Sequence, residues 1–411
     1  MRFLKLLPFF LILTPICHAS FHIKDGQLVD GDGEPFLIRG INYPHTWFHL
    51  FMDQAIPDIA STGSNTVRLV LGSGDFPGWH GVDKQELSQL LQICRENDLI
   101  AIVEVHDATG FGDREGSVTM DKAVEFWLEM KDILMGQENL IMINIANEPL
   151  GNNASKDDWV NVHVKAIKEL RAAGFTHTLI VDAPNWGQDW RKTALTRSDE
   201  VLEADPLGNT MISIHMYDVF HDPAYVRKYL KTFHDKGWPL LVGEFAADHG
   251  PGTDIAEDAI LQGCHEFDIG YLGWSWSGNG GDLYDLDVVH NFDPYRLTEW
   301  GDKLINSPYG IRATSKPARI FTEAKSLNVS EHNVEVGAIS EVVHVGVDTQ
   351  VTWIMSKTQD WVDVRPAIAS SPRILSLVFE ENTTGEDRTA SIYLVGGGIT
   401  EEIKVLQRAG E

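Results

Sequence analysis

A chain of 411 residues is too long for one ordinary hydrophobic core and long enough for two. Its 43% hydrophobic and 9% aromatic content is that of a globular protein and excludes a disordered one. A formal charge of −27 makes nucleic acid and anionic lipid poor partners and suits an uncharged one.

Residues 1–19 have the make-up of a secretory signal: Arg2 and Lys5, an apolar core from Leu6 to Ile16, then Cys17-His18-Ala19. That core is short for a membrane span and no other stretch qualifies, so membrane insertion is not expected. Ile16 stands where a lipoprotein signal needs a small residue, which argues against lipidation of Cys17. The expectation is a secreted, periplasmic or cell-surface protein. Cleavage near Ala19 or Ser20 removes Arg2 and Lys5 and takes the charge from −27 to −29. Cys94 and Cys264 fall in helical stretches without metal or redox spacing and read as buried thiols.

After the signal, Phe21–Lys24 and Gln27–Asp30 flank Asp25-Gly26, a hairpin signature, and suggest a small lid under the next domain. Eight apolar runs follow, starting near Phe36, Asn65, Ile100, Leu140, Thr178, Met211, Pro239 and Tyr271. Helical sequence separates most of them: Asp83–Asn97, Asp121–Met135, Trp159–Ala173, Pro223–Lys236 and Asp254–Phe267. Eight strand–helix units predict a (β/α)₈ barrel. An open doubly wound sheet is the alternative, but no glycine-rich phosphate loop follows the first strand. The barrel closes with a helix over Leu297–Ile305 and an extended tail to Phe321.

From about Asn328 the pattern changes to short alternating runs: Val342–Val347, Val351–Met355, Trp361–Val364, Ile374–Phe379, Ser391–Val395 and Ile403–Leu406. That predicts an all-β, Ig-like sandwich. The expected organisation is a signal over 1–19, a barrel over 20–321, a linker over 322–327 and a sandwich over 328–411.

Polar residues gather where the predicted barrel strands end: Arg68, His106-Asp107, Asn147-Glu148, His215, Tyr217, Glu244, and Trp274 with Trp276. Barrel enzymes keep their chemistry at that rim, above an aliphatic interior. Glu148 and Glu244 end the fourth and seventh runs, and a pair of carboxyls so placed is what glycoside hydrolysis requires. Glu148 is the candidate general acid/base and Glu244 the candidate nucleophile. Arg68 and Tyr217 can keep Glu244 charged. Asn147 can bond the sugar hydroxyl beside the reacting carbon, and His106 and His215 can orient the carboxylates. Trp274 and Trp276 are two apart, so both point to one face of the last strand, where an interior-facing indole would form a floor for a sugar ring. Trp47, Trp79, Trp186 and Trp190 can equally pack or stack on sugar, and Asp107 can be a loop cap or a ligand contact. A structural ion near Asp282, Asp285 and Asp287 is an open reading, with solvated acids the simpler one.

These residues resemble glycoside hydrolase family 5, in the clan of retaining (β/α)₈ hydrolases with acid/base after strand four and nucleophile after strand seven. GINYPHTWF, NTVRLVL, EVHDATG, NIANEP, LIVDAPNWGQ, SIHMYDVF, VGEF and LGWSWSGN resemble its bacterial endo-β-1,4-mannanases over about Phe21–Phe321. The resemblance implies Glu148 as acid/base, Glu244 as nucleophile, and Arg68, His106, Asn147, His215, Tyr217 and Trp274 as their supporting shell, with Trp274 the better sugar platform. Pro149 departs from close members, which often carry an aromatic there. About Asn328–Gln407 resembles a BACON-type sandwich through Asp360–Val364, Glu381–Gly385, Arg388–Ala390 and Val405–Gln407; Trp353 and Trp361 read as its core.

The expectation is a secreted, monomeric, retaining endo-mannanase that cleaves mannan, glucomannan or galactomannan with no cofactor and no catalytic metal. A β-1,4-glucanase of the same family is the alternative, and a non-catalytic carbohydrate-binding barrel a more distant one.

Overall fold

The computed structural model describes residues 20–322, 326–349, 351–370, 372–397 and 399–410. The expected signal over 1–19 and the middle of the expected linker lie outside the described residues.

The chain opens with a hairpin, β1 (His22–Lys24) and β2 (Gln27–Val29), turning at Asp25-Gly26 with both residues at positive φ. Eight strands then close a parallel barrel: β3 (Arg39–Tyr43), β4 (Thr66–Leu71), β5 (Ile100–Val105), β6 (Ile141–Asn144), β7 (Leu179–Asp182), β8 (Thr210–Met216), β9 (Leu240–Phe245) and β10 (Gly270–Gly273). Every residue of all eight is buried. One face of each strand fills the barrel and the other meets a helix, which is why these runs are apolar throughout and not alternating. The ring closes where β10 pairs with β3.

Around it run α1 (His45–Phe48), α2 (Met52–Ser61), α3 (Lys84–Glu96), α4 (Met120–Leu134), α5 (Lys156–Ala172), α6 (Ala194–Leu202), α7 (Pro223–Lys236), α8 (Glu257–Glu266) and α9 (Glu299–Asn306). Their starts are written in side chains. Asp83 accepts from Glu86 N, Thr119 from Lys122 N, and Ser155 and Asp158 form a reciprocal capping box. Helix α7 has proline in its first turn and left-handed Gly237 at its end.

The first barrel strand begins three residues after the predicted Phe36, because Pro35 still bridges back to Val29 of the hairpin. The predicted extended tail is corrected: it contains two helical turns, α10 (Ile311–Thr314) and α11 (Arg319–Thr322). Ile311 and Ala318 are buried and anchor the segment, but a single turn is too short to show helical periodicity.

Two sheets follow, ordered β11 (Leu327–Val329), β13 (Glu341–Thr349), β17 (Arg373–Phe379), β15 (Val362–Arg365), and β12 (Asn333–Val336), β19 (Ile399–Gln407), β18 (Arg388–Gly396), β14 (Trp353–Lys357), β16 (Ile368–Ala369). Alternating burial along β17 and β18 turns Leu375, Leu377, Ile392 and Leu394 into a shared core around Trp353. The sandwich meets the barrel at the α4–β6 connection. Ser370 N donates to Gly136 O at 3.0 Å, Asn139 Nδ2 donates to Ser370 O, and Arg373 pairs with the buried Glu138. That connection leads into the start of β6, so the contact lies at the barrel end opposite the strand C-termini.

Cys94 and Cys264 are both free and buried, in α3 and α8. No helix among the described residues is long and apolar enough to cross a membrane.

Candidate active site

At the C-terminal mouth, the strand ends direct a dense set of polar side chains at one another. Arg68, at the third position of β4, is fully buried and supplies the hub. Its Nε donates to Asn144 Oδ1 at 3.0 Å, Nη1 to Asn42 Oδ1 at 2.9 Å and Glu244 Oε1 at 2.8 Å, and Nη2 to Asn147 Oδ1 at 2.6 Å. Glu104 and Asp182 lie 3.6 and 3.8 Å from the same guanidinium. Burial opposes its charge, but Glu104, Glu244 and Asp182 more than offset that and hold the arginine protonated.

Glu244 receives a second charge-assisted bond, from the Tyr217 hydroxyl to Oε2 at 2.9 Å. A bulge helps bring it there: β8 and β9 pair as Ile214↔Val242 and then His215↔Glu244, so Gly243 is passed over. A Cβ on Gly243 would sit 2.4 Å from Ser213 Oγ, so glycine is what lets these strands approach.

Glu148 lies just beyond β6 with φ +40°, a left-handed conformation rare for a side-chain-bearing residue. Its backbone is fixed from both sides: its N–H donates to Asp182 Oδ2 at 3.0 Å and its carbonyl accepts from Gly110 N at 2.9 Å. Its Oε1 lies 2.8 Å from His215 Nδ1, which is also 3.5 Å from Glu244 Oε2. One ligating atom each of Glu148, His215 and Glu244 falls within 4.8 Å of the others. The two glutamates therefore face each other across a gap of sugar-ring dimensions.

Burial works against charge on His215, yet Glu244, Asp182 and Glu148 outweigh it and push the imidazole up to about 9. Burial pushes the Glu244 carboxyl above its usual range, with His215 and Arg68 pulling it back and Glu148 adding to the rise. Burial also lifts Glu104 to about 8 and drops His106 to about 4.

His106 Nδ1 bonds Glu104 Oε1 at 2.8 Å and touches neither candidate catalytic carboxylate within hydrogen-bond distance, so it does not orient them directly. Its ring stacks on Trp274 at 5.5 Å, with Trp47 and Trp79 at 5.1 and 5.6 Å. Together these rings make an aromatic wall beside the carboxylates. Trp276 is not part of it. The strand ends at Gly273, so two-residue alternation stops there, and Trp276 is 0% exposed in the packing below. Trp186 donates to Asp113 Oδ2 at 3.2 Å and Trp190 to Asn152 Oδ1 at 2.7 Å on the far side of the mouth.

Asp107 is a loop organiser: its Oδ2 accepts from Ser73 N at 2.9 Å and Ser73 Oγ at 2.6 Å. Asp287 does the same for Gly278 N and Asn279 N at 3.0 and 2.9 Å, and Asp282, Asp285 and Asp287 form no metal-sized group among the described residues.

Sequence reasoning missed Asn42, Asn144 and Asp182. Asp182 accepts from both Glu148 N and, at 3.0 Å through its other oxygen, Asn144 Nδ2, and lies 3.4 Å from His215 Nε2. The available signal was a charged residue closing the apolar run Leu179–Val181, the same signal that singles out Glu244.

Comparison with known proteins gives two family matches. Residues 29–280 match the cellulase model of glycosyl hydrolase family 5, and residues 351–408 match BACON, described as a putative binding domain. A mannan endo-1,4-beta-mannosidase of Cellvibrio japonicus is 43% identical over 303 residues, covering 74% of this chain and 70% of that protein. One from Streptomyces lividans is 43% identical over 304 residues, covering 74% and 78%. The solved beta-mannanase of Thermomonospora fusca in complex with mannohexaose superposes with a TM-score of 0.70 at 44% identity, covering 74% of this chain and 99% of its own.

Proposed function

The chain belongs to glycosyl hydrolase family 5, and from that membership we propose that it is a retaining endo-β-1,4-mannanase with Glu148 as acid/base and Glu244 as nucleophile. The observation that carries the reading is the pair itself, within 4.8 Å of each other at the strand C-termini and held by different partners. Retaining glycosidases work with carboxyls about 5–5.5 Å apart, and inverting ones need about 6.5–9.5 Å to admit a water.

Arg68 and Tyr217 both donate to Glu244 and favour its anion. Glu148, bonded through Oε1 to His215 Nδ1, enters the first step carrying a proton for the leaving oxygen. In the first step Glu148 gives that proton to the glycosidic oxygen, the bond from that oxygen to the anomeric carbon breaks, and Glu244 forms an ester with that carbon. In the second step Glu148 removes a proton from water, which displaces Glu244 and restores both carboxyls. Asn147, its oxygen on Arg68 and one amide hydrogen on Thr109, keeps another amide hydrogen for the sugar hydroxyl beside the reacting carbon. Trp274 offers its face to a neighbouring sugar. Carboxylates supply both proton and nucleophile, so the reaction calls for no cofactor.

Relatives named mannan endo-1,4-beta-mannosidases at 43% identity support mannan, glucomannan or galactomannan as substrate. The second reading, a β-1,4-glucanase, is favoured by the cellulase description of the matching family model and by a 40% identical relative from Caldicellulosiruptor saccharolyticus named beta-mannanase/endoglucanase A. Initial rates on galactomannan against carboxymethyl-cellulose and xyloglucan, with product lengths read out, test the choice. Short mannan oligosaccharides of mixed length are expected; faster cleavage of either glucan would overturn the substrate assignment.

The same reading divides the chain into a signal over 1–19, a catalytic barrel over 20–321, a linker over 322–327 and a sandwich over 328–411. Export and action as a monomer belong to it. The sandwich, joined to the barrel end away from Glu148 and Glu244, serves as a spacer or as a binding module outside the cleft.

A further inference from the structure

Close in sequence to Trp47 and Trp79, three side chains of metal-ligating type converge. His45 opens α1 in the connection after β3, His80 lies in the connection after β4, and Glu86 sits in the first turn of α3. Glu86 Oε1 lies 3.1 Å from His45 Nε2 and 2.9 Å from His80 Nε2, with Oε2 2.8 Å from the latter. One ligating atom from each residue falls within 4.8 Å of the other two. We propose that His45, His80 and Glu86 bind a divalent transition-metal ion of the zinc type, which ties these two rim connections together.

The donor set is two imidazoles and one carboxylate, the chemistry that zinc accepts, with the remaining position left to water. Ligand atoms about 2.0–2.2 Å from a tetrahedral ion lie roughly 3.3–3.5 Å from one another, so the three groups need only small rotations to admit it. His45 is fully buried, so its ring is held in place by the packing around it. His80 is held in plane by stacking against His49 at 3.8 Å between centroids and 13° between planes.

A hydrogen-bonded knot of His, Glu and His is the competing account. It leaves two buried ring nitrogens, His45 Nδ1 and His49 Nδ1, without a hydrogen-bond partner among the described residues. Neither atom separates the two accounts, because an ion would take His45 Nε2 and leave both Nδ1 atoms as they are. The accounts differ in what joins Nε2 of each histidine to the Glu86 carboxylate, a proton in the knot and an ion in the site. The consequence for the molecule is local: Trp47 is two residues from His45, Trp79 adjoins His80, and the two indoles meet edge to face at 4.9 Å. Binding would fix both indoles through their backbones.

The test uses the full chain without an affinity tag, stripped with chelator and titrated with zinc chloride by calorimetry. Glu148, His215 and Glu244 form a second metal-sized group, so three proteins are compared: wild type, His80→Ala and His215→Gln. The site predicts about one equivalent bound by wild type and by His215→Gln, and at least a tenfold weaker affinity in His80→Ala. Zinc should raise the melting temperature of wild type but not of His80→Ala. Cobalt(II) in place of zinc should give wild type the intense visible bands of a low-coordinate site, a readout that stands even if His80→Ala fails to fold. Equal zinc binding by wild type and His80→Ala, loss of binding in His215→Gln alone, or no binding and no cobalt bands in wild type would each overturn the proposal.

Discussion

Tyr217 and Arg68 act on the same carboxylate from two sides, and each can be removed alone. Tyr217→Phe deletes one donor to Glu244 and leaves the ring, which stacks on His249 at 4.6 Å. A hydrogen bond to a charged group contributes about 1.5–3 kcal/mol, so kcat should fall roughly 10- to 150-fold with little change in KM. Steady-state kinetics on a mannan oligosaccharide checks this. Glu244→Ala should lose at least about four orders of magnitude in turnover, about 5.4 kcal/mol of transition-state stabilisation, and azide should restore product as a glycosyl azide of inverted configuration. His215 carries a pH signature. Its pKa rises on folding to about 9, so the stability it contributes is complete below about 6.5 and is lost as pH climbs through about 9. Melting temperatures of wild type minus those of His215→Gln should therefore decline across that window and level off above it. A flat difference would mean that the carboxylates do not hold the imidazolium.

At the scale of elements, the sequence was most informative where packing is strictest. Eight strands buried on both faces cannot hide among polar loops, and Asp83 marked where α3 begins; the predicted starts Asp121 and Trp159 fall inside α4 and α5, whose caps are Thr119 and Ser155. Among helices longer than a single turn, two escaped notice for local reasons: α2 contains Pro57, and the residue before α6, Thr193, makes no side-chain cap. In the sandwich, β11, β12 and β16 are two to four residues long, too short for alternation to register. The candidate site was legible where a glutamate ended an apolar run, as at Glu148 and Glu244, although Asp182 ends one too and was passed over. It was illegible where function rests on an amide inside a strand, as with Asn42 and Asn144, or on a strand that stops early, as before Trp276. Asp182 tests whether these missed residues matter. Asp182→Ala removes the acceptor that holds Glu148 N in its left-handed conformation and frees Asn144. It should cut kcat on mannan at least tenfold while the far-ultraviolet dichroism stays native.

Across the whole molecule, barrel and sandwich are joined through a buried charge. Glu138 lies in the barrel with its carboxylate against Arg373 of the sandwich, and burial, which disfavours its charge, is overcome by His177 and Arg373. Arg373→Ala strands that carboxylate and should cost about 1–3 kcal/mol, less than a fully buried pair because the arginine is partly exposed. Calorimetry should then resolve two unfolding transitions, with the double change Arg373→Ala and Glu138→Gln recovering part of the loss. Catalysis should be unaffected, because this junction and the two glutamates occupy opposite ends of the barrel. What the account rests on is that those glutamates divide one displacement into two. Proton NMR of a β-1,4-mannan oligosaccharide, recorded in the first minutes of cleavage before mutarotation, reads this directly. The reducing end released first should be the β-anomer; the α-anomer appearing first would contradict it.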